Sequence, residues 1–295
     1  MPAYTLAHLS DPHLAPLPRP RLEQLAGKRA LGYLNWKRNR HAVHRRDVLD
    51  ALVADVKAQT PDHIAITGDL VNLALPDEFA EARRWLATVG TPHDVTVVPG
   101  NHDAYVRATQ HRIADWQDYA RGDVPAAATD PAFPFVRHRG PLTLIGVSSA
   151  VPTAPFMATG RLGREQLTAL DRTLLQLADD AGFRVLLIHH PLRSESAYKR
   201  LTDADALLPL VKRHRIDLIL HGHDHIHSIM WFDGPHGRVP AIGVPSASSV
   251  AHGHYPAAAY NLFSITREGD GWRCEQRVRG FVGDKIADAR NVRVI

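Results

Sequence analysis

Residues that can bind metal ions follow five predicted strands, each at the point where the strand ends. They are Asp11 and His13, Asp69, Asn101 with His102 and Asp103, His189, and His223 with His225. In open α/β folds, binding sites form beyond the carboxyl ends of the strands. The donors are carboxylate and amide oxygens and imidazole nitrogens, without a thiolate, and such a set suits Mn, Fe, Co or Zn. We therefore expect these strand ends to form one metal site.

The number of donors indicates two divalent metal ions rather than one. A catalytic ion keeps an open position, and seven of these nine residues, all but His102 and Asp103, are taken as candidate ligands, which exceeds what one such ion needs. Two ions about 3.5–4 Å apart can bind a phosphoryl group and generate a hydroxide nucleophile at neutral pH. Asp69 is the expected bridging carboxylate. His102 is the expected general acid, and Asp103 is expected to orient its ring.

Apolar periodicity predicts the elements that position these residues. Strands are predicted over 4–10, 63–67, 94–98, 141–147, 183–188 and 216–220, and helices over 42–58, 76–87, 164–181 and 203–213. Further strands are predicted over 226–232, 239–244, 260–266 and 272–278, and the region 105–135 has a helix near 113–119 and a loop over 125–134. Helix–strand units followed by a strand-rich end predict two sheets, the first mostly parallel, with helices outside. We expect a single domain over 1–295.

The composition is ordinary except for its histidine and cysteine content. The chain has 295 residues, a formal net charge of +4 and a pI near 9.3, which weakly favours anionic partners. It has 19 histidines, and its one cysteine, Cys274, excludes an internal disulfide framework and a Cys-rich zinc module. A secretory signal pattern and an apolar run of about 20 residues are both missing, so we expect a cytoplasmic protein.

A strongly basic segment spans residues 16–46. Its lysines and arginines are accompanied by a single acidic residue, Glu23, and apolar residues recur among them at roughly helical spacing. Such a segment could be a cap beside an anionic substrate, a peripheral membrane-surface element, or a solvated helical insertion. The sequence leaves these three interpretations open.

Five short motifs occur in order along the chain. They are Asp-x-His at 11–13, Gly-Asp-x-x-Asn at 68–72, Gly-Asn-His-Asp at 100–103, His-x-Pro at 189–191 and Gly-His-x-His at 222–225. Together they resemble the signature of the calcineurin-like metallophosphoesterase superfamily. The resemblance implies an α/β fold of the α+β kind, a four-layer αββα sandwich of two mixed β-sheets flanked by helices.

The resemblance also implies a role for each motif residue. Asp11, His13, Asp69 and His225 correspond to the ligands of a first metal ion, and Asp69, Asn101, His189 and His223 to those of a second. His102 corresponds to the residue that protonates the leaving group or holds the phosphate, so Asn101 and His102 are expected to contact substrate. The first histidine of His-His-Pro is the ligand in the family, which favours His189 over His190.

Residues near these motifs are expected to support the site. We expect His190, His221 and His227 to be structural or to contact the ligands, and Asn72 to brace the loop that carries Asp69. His252 and His254 are predicted to lie in a loop near the site mouth. Whether any of these histidines touches substrate stays open, and Cys274 is expected to be inert.

The reaction expected from the resemblance is hydrolysis of a small anionic phosphoester. Bacterial class III cyclic nucleotide phosphodiesterases and glycerophosphodiesterases are the most similar in their motifs, which favours a phosphodiester and cyclic nucleotides first. The basic segment motivates an alternative, a lipid pyrophosphatase of the UDP-diacylglucosamine type. A nuclease is less favoured because no basic platform with interleaved aromatic residues is visible, so nucleic acid is not an expected partner. A non-catalytic metal-binding scaffold and a homo-oligomer are also left open.

Overall fold

Twelve strands and six α-helices are found in the described part of the chain, which comprises residues 3–25, 27–124 and 132–295 of a computed structural model. The strands are β1 (Tyr4–Leu9), β2 (His63–Ile66), β3 (Val95–Val97), β4 (Phe135–Arg139), β5 (Leu142–Gly146), β6 (Phe183–Leu187), β7 (Leu218–His221), β8 (Ser228–Gly234), β9 (Gly237–Gly243), β10 (Ala259–Glu268), β11 (Gly271–Val282) and β12 (Lys285–Arg293). The helices are α1 (Lys28–Asn35), α2 (His41–Val43), α3 (Arg46–Ala58), α4 (Pro76–Val89), α5 (Arg164–Gln176) and α6 (Ala204–Arg213). A short 3₁₀ turn at Leu22–Leu25, a longer 3₁₀ segment at Arg107–Tyr119 and a π-helical turn at Trp36–Arg40 complete the set.

The strands form two six-stranded sheets, each of mixed direction. The first sheet has the order β12-β11-β10-β1-β2-β3, in which β1, β2 and β3 are parallel and β10 runs antiparallel to β1. The second has the order β4-β5-β6-β7-β9-β8, with a parallel centre from β5 to β9 and an antiparallel strand at each edge. Parallel neighbours end at the same edge of their sheet, which is where the predicted ligands lie.

Alternate side chains of β6 show how the layers are stacked. Val185 and Leu187 belong to a buried cluster that includes Leu6 of the first sheet, whereas Leu186 belongs to a second cluster with Leu170 of α5. Because successive side chains of a strand point to opposite faces, one face of the second sheet meets the first sheet and the other meets helices. The predicted architecture of two mixed sheets flanked by helices is confirmed.

Helix boundaries differ from the predictions at two places. The helix predicted over 42–58 begins at Arg46, since Arg45 is extended, with φ −113° and ψ 133°. The helix predicted over 164–181 ends at Gln176. The buried Arg184 guanidinium donates to the carbonyls of Leu177, Ala178 and Asp180, and this holds the chain in a non-helical turn.

Two edge strands were not predicted from the sequence. β4 carries Arg137 and His138, and β12 is charged and largely exposed. Edge strands need no continuous apolar run, because one of their sides is not covered by another strand. Most of the loop predicted over 125–134 lies outside the described residues, and the region of the helix predicted near 113–119 is a longer, irregular 3₁₀ segment.

The basic segment is helical in pieces rather than over its whole length. It contains the 3₁₀ turn, α1, the π-helical turn and α2, and its Trp36 and Arg29 are buried. The Arg29 side chain donates to the carbonyls of Leu73 and Ala74, which follow β2. These contacts attach the segment to the loop that leads away from Asp69.

None of the helices in the described ranges has the length and apolar character that crossing a bilayer requires.

Candidate metal centre

The predicted ligands occupy the loops that follow the strands of both sheets. Asp11 follows β1 and Asp69 follows β2 in the first sheet, and His189 follows β6 in the second. Hydrogen bonds of the predicted ligands join the sheets at this edge. The backbone N–H of His223 donates to Oδ2 of Asp11 at 3.0 Å, and Nδ1 of His189 donates to the carbonyl of Thr67 at 2.6 Å. The loops of the two sheets therefore form one site.

Five of the predicted ligands have a left-handed backbone conformation. The φ angles are +53° at Asp11, +39° at His13, +55° at Asp69, +72° at His223 and +56° at His225. For residues other than glycine this conformation costs about 1–3 kcal/mol each and is concentrated at functional sites. The surrounding structure must therefore stabilise these five residues in this conformation. Because all five lie at one site, we infer that the conformation serves that site.

The first donor set consists of Asp11, His13, Asp69 and His225. Nε2 of His225 lies 3.1 Å from Oδ1 of Asp11 and 3.4 Å from Nε2 of His13. Nε2 of His13 lies 3.9 Å from Oδ1 of Asp11 and 3.8 Å from Oδ2 of Asp69. Ligand atoms about 2.0–2.2 Å from a shared ion are separated by about 3–4 Å, so these spacings fit a divalent ion.

The second donor set consists of Asp69, Asn101, His189 and His223. Nε2 of His189 lies 3.4 Å from Oδ2 of Asp69, 3.1 Å from Oδ1 of Asn101 and 3.2 Å from Nδ1 of His223. The Oδ2 atom of Asp69 that faces His189 is also the one that faces His13. Asp69 is thus placed between the two sets, as a bridging ligand would be.

The hydrogen bonds of His13 and His189 test whether these residues fit metal ions. Nδ1 of His189 donates to the Thr67 carbonyl, and Nδ1 of His13 lies 3.3 Å from the Val71 carbonyl. A carbonyl only accepts, so both rings carry a proton on Nδ1, and Nε2 is the nitrogen of each ring that faces the other donor atoms of the site. Metal-ligating histidines make this same arrangement with their other nitrogen. The converging ring nitrogens and carboxylates fit two cations.

His102 faces the site without belonging to either donor set. Its backbone N–H donates to Oδ1 of Asp69 at 2.7 Å, and its Nδ1 donates to the carbonyl of Asn72 at 2.6 Å. The Nε2 lone pair accepts from Nη1 of Arg40 at 3.0 Å. Burial, and then the charge of Arg40, lower the pKa of His102 to about 4. The role of His102 as a general acid, which needs a proton on Nε2, stays a prediction.

The expected contact between Asp103 and the His102 ring is wrong. The fully buried Asp103 carboxylate accepts four backbone N–H groups instead, at 2.8–3.1 Å; they belong to Asp69, Leu70, Val71 and Gly100. Four backbone N–H groups that converge on a carboxylate give it more hydrogen bonds than a single imidazole N–H would. Asp103 therefore holds together the two loops that carry Asp69 and Asn101.

Three residues of the basic segment reach the site and were not predicted as site residues. The His44 ring lies 4.5 Å from that of His13, and its donor nitrogen groups with those of His13 and His225. Arg40 contacts both His44 and His102, and Lys28 lies 4.5 Å from the centre of the Tyr105 ring. The excess of cations over carboxylates in this segment was the one signal that could have identified them.

The remaining histidines have the supporting positions expected of them. His190 is buried between the Ser149 hydroxyl and the Ala158 carbonyl, and His221 lies against the carbonyl of Gly222. Asn72 donates to the carbonyl of Leu14 at 2.9 Å, which joins the loops after β1 and β2. His227 is the exception, since it is exposed.

The loop with His252 and His254 lies beside the first donor set. Both rings pack on Tyr255, and the Tyr255 ring lies 6.3 Å from that of His225. This agrees with the predicted place of the loop near the site mouth. Cys274 is buried in β11, where burial raises the pKa of its thiol.

A cavity of about 450 Å³ adjoins the metal centre on the side of the basic segment. Asn101 and His102 form its inner end, and Lys28, Arg40, Tyr105 and Phe156 form parts of its walls. Gly32 of α1 also lines it, and a Cβ atom at Gly32 would overlap the Tyr105 hydroxyl. A small phosphoester could therefore reach the metal centre from a partly apolar, partly cationic cavity.

Comparisons with known proteins agree with this geometry. A family model described as calcineurin-like phosphoesterase matches residues 4–227, a range that includes all of the predicted ligands. A Rhodococcus erythropolis protein named probable cyclic nucleotide phosphodiesterase is 28% identical over 239 residues, which are 79% of this chain and 68% of that protein. A Synechococcus protein of the same name is 27% identical over 180 residues, which are 59% of this chain and 62% of that protein.

Two solved structures share the fold. A dimetal phosphatase from Danio rerio aligns with a TM-score of 0.62 and 15% identity, over 98% of this chain and 100% of its own. A purple acid phosphatase from yellow lupin seeds aligns with a TM-score of 0.63 and 12% identity, over 97% of this chain and 53% of its own.

Proposed function

Because the chain belongs to the calcineurin-like phosphoesterase family, we propose that it is a two-metal phosphodiesterase acting on small phosphodiesters. The observation that carries the proposal is the pair of donor sets that share Asp69 and adjoin His102. The two sets would hold two divalent ions, drawn from Mn, Fe, Zn and Co. Ions held there would supply Lewis-acid activation of the phosphoryl group and of water.

The protein's own groups bind and orient the substrate in this proposal. Asn101 and His102 line the inner end of the cavity, so they are the groups a phosphate would meet beside the ions. Arg40 adds a charged donor next to His102. Preorganised donors of this kind stabilise charge that develops on phosphoryl oxygens, and they do so most strongly where water is excluded.

Cyclic nucleotides are the first substrates we propose. Both sequence relatives described above carry the name probable cyclic nucleotide phosphodiesterase. The cavity of about 450 Å³ lies within the usual range for small-molecule sites.

A lipid-linked pyrophosphate is a second candidate, favoured by exposed apolar side chains around the cavity. Phe156 is 85% exposed, and Leu31 and Leu34 of α1 are 44% and 45% exposed. Leu22, in the preceding turn, is 91% exposed. These residues belong to the cavity wall or to the basic segment, a combination that suits an anionic lipid surface and supports peripheral membrane contact.

A substrate panel tests the proposal with Mn²⁺-loaded protein. The panel contains 3′,5′- and 2′,3′-cyclic nucleotides, glycerophosphodiesters, phosphomonoesters and UDP-diacylglucosamine. Faster hydrolysis of diesters than of monoesters, lost in Asp69→Ala, would support a phosphodiesterase. Full metal occupancy without hydrolysis of any ester would indicate a metal-binding scaffold and contradict the proposal.

Sedimentation with anionic liposomes separates the two substrate candidates. A protein that acts on a lipid-linked substrate should sediment with the vesicles, and Leu31→Gln combined with Leu34→Gln should release it. Leu175→Gln is a matched control, because Leu175 is an exposed leucine of α5, outside the basic segment. Sedimentation that none of these substitutions changes would remove the lipid candidate.

A further inference from the structure

Lys28 reaches the cavity without an acidic partner. Its Nζ donates to the Thr153 hydroxyl at 2.7 Å and lies 3.2 Å from the Met157 carbonyl, while the Tyr105 ring covers it at 4.5 Å. An ammonium group has three N–H donors, so one donor is left for the cavity. Burial lowers the pKa of Lys28 to about 8, which reflects the cost of keeping this charge away from water.

Arg40, at the inner end of the cavity, also lacks an acidic partner in the described part of the chain. Its guanidinium contacts the imidazoles of His102 and His44, and its buried Nε has no hydrogen-bond partner among the described residues. Three arginines of the basic segment are paired with carboxylates, namely Arg21 with Glu23, Arg45 with Asp47 and Arg46 with Asp50. The buried Arg29 donates to the carbonyls of Leu73 and Ala74 rather than to a carboxylate. Lys28 and Arg40 differ from these arginines because both line the cavity and each keeps an N–H donor that no described residue accepts.

Lys28 and Arg40 are both half-buried. A cation that is partly removed from water without a counter-charge is destabilised unless a ligand supplies its partner. A phosphate at the metal centre would lie near Asn101 and His102, where Arg40 can reach it. Lys28 is held instead against Tyr105 and the 153–157 loop, so it would stay without a partner if the substrate carried only one phosphate.

We propose that Lys28, together with Arg40, forms an anion subsite for a second phosphate group linked to the phosphate that is hydrolysed. The inference rests on the two-metal site of the proposed function and, between the two substrate candidates named there, favours a diphosphate over a cyclic nucleotide. A diphosphate ester would span the metal centre and the subsite, whereas a cyclic mononucleotide would leave Lys28 unpaired. Gly32 supports this subsite, because its lack of a side chain leaves room for the Tyr105 hydroxyl beneath Lys28.

The alternative role of Lys28 is a structural one. Its bonds to Thr153 and Met157 join the basic segment to the loop on the other side of the cavity. A structural link and an anion subsite predict different results for ligands that differ by one phosphate. Loss of a link weakens all ligands alike, and loss of a subsite weakens only the ligand that reaches it.

The test compares the binding of AMP and of α,β-methylene ADP to the Mn²⁺-loaded protein by calorimetry. The diphosphate analogue should bind about tenfold more tightly than AMP, as expected for one charge-assisted hydrogen bond. Lys28→Gln should abolish this preference. Lys37→Gln is the matched control, since Lys37 is an exposed lysine of the same segment that stacks on Tyr33, and it should keep the preference.

Equal affinity of the wild-type protein for the two nucleotides, or no binding of either, would overturn the inference. An equal loss of affinity for both nucleotides in Lys28→Gln would overturn it too, in favour of the structural role. Hydrolysis of bis(4-nitrophenyl) phosphate by the wild-type protein is measured in parallel. Hydrolysis without a preference for the diphosphate refutes the subsite alone, whereas no hydrolysis by the loaded protein refutes the proposed phosphodiesterase.

Discussion

Asp69 connects more parts of the site than any other ligand described above. One carboxylate oxygen faces His13 and His189, which belong to different donor sets, and the other accepts the backbone N–H of His102. Gly100 lies so close that a Cβ there would overlap the Asp69 carboxylate. Gly100 therefore leaves just enough room for the Asp69 carboxylate, and a larger residue at position 100 would displace it.

Asp69→Ala should lower metal binding at both sites, because a bridging carboxylate serves both ions. We expect fewer than one Mn²⁺ ion per chain by elemental analysis after desalting. Asp284→Ala, at an exposed turn between β11 and β12, should retain the wild-type content. Retention of two ions per chain in Asp69→Ala would refute the bridging assignment.

His102→Ala should retain the metal ions and lose most turnover of esters with poor leaving groups. The ring lies beside that of His13, but its two nitrogens bond Arg40 and the Asn72 carbonyl. Its removal should therefore take a proton donor or phosphate-binding group without taking a ligand. Rates on alkyl esters should fall by about 10²–10⁴-fold, and rates on nitrophenyl esters should fall less. An equal loss on both ester types would contradict the role as general acid.

The ligands could be predicted from the sequence, but their neighbours could not. Each predicted ligand follows an apolar run and belongs to a short motif, which is a local signal. Asp103 belongs to the same motif, yet its partners are four backbone N–H groups from two loops, which no local pattern reveals. Arg40 and Lys28 lie in a segment rich in lysine and arginine, and the sequence does not show which of these side chains turn toward the site and which stay in solvent.

At the scale of elements, the loops after β2 and β3 depend on two buried carboxylates. Asp103 binds the backbone after β2, and Glu78, at the start of α4, accepts the N–H groups of Asn72, Leu73 and Leu75. Together they fix both ends of the loop that carries Asp69. Satisfied polar networks of this kind make a buried loop rigid.

Asp103→Asn should destabilise the fold by about 2–4 kcal/mol. An amide keeps one acceptor oxygen and turns an NH₂ group toward two backbone donors, each of which costs about 1–3 kcal/mol when left unsatisfied. The measurement is the free energy of unfolding in urea, with Asp284→Asn as a control. A change within 0.5 kcal/mol of the wild type would show that the carboxylate does not hold the loops.

Element types were predictable wherever hydrophobic periodicity was strong. The parallel strands β1, β2, β6 and β7 are continuous buried runs, and α3 and α6 have clear apolar faces. The edge strand β12 lacks such a pattern because it is largely exposed, and β4 lacks it because two of its buried positions are the arginines Arg137 and Arg139. The basic segment is divided by turns that its periodicity does not show.

At the scale of the whole molecule, the metal centre joins the two sheets. Asp11, Asp69 and Asn101 come from the first sheet, and His189 and His223 come from the second. Two sheets could be predicted from the order of helices and strands, but the expectation that the first is mostly parallel is wrong. Its β1–β2 and β2–β3 pairings are parallel, whereas β1, β10, β11 and β12 are joined by antiparallel pairing. The face-to-face packing of the two sheets followed from the family resemblance and not from the periodicity, since strand patterns do not specify which faces meet.

Mn²⁺ should raise the thermal stability of the protein, because ions that bind the folded state alone shift unfolding by mass action. At a free concentration of 100 times the dissociation constant, each site contributes about 2.7 kcal/mol. Scanning calorimetry should show a higher Tm with Mn²⁺ than with EDTA, and Asp69→Ala should lose most of the difference. The same Tm in Mn²⁺ and in EDTA would argue against a centre that joins the sheets.

The most direct test measures bis(4-nitrophenyl) phosphate hydrolysis against the number of Mn²⁺ ions bound per chain. We expect activity to rise with occupancy of the second site and to reach its maximum at two ions per chain. Absence of hydrolysis at two bound ions, or full activity at one, would contradict a two-metal phosphodiesterase.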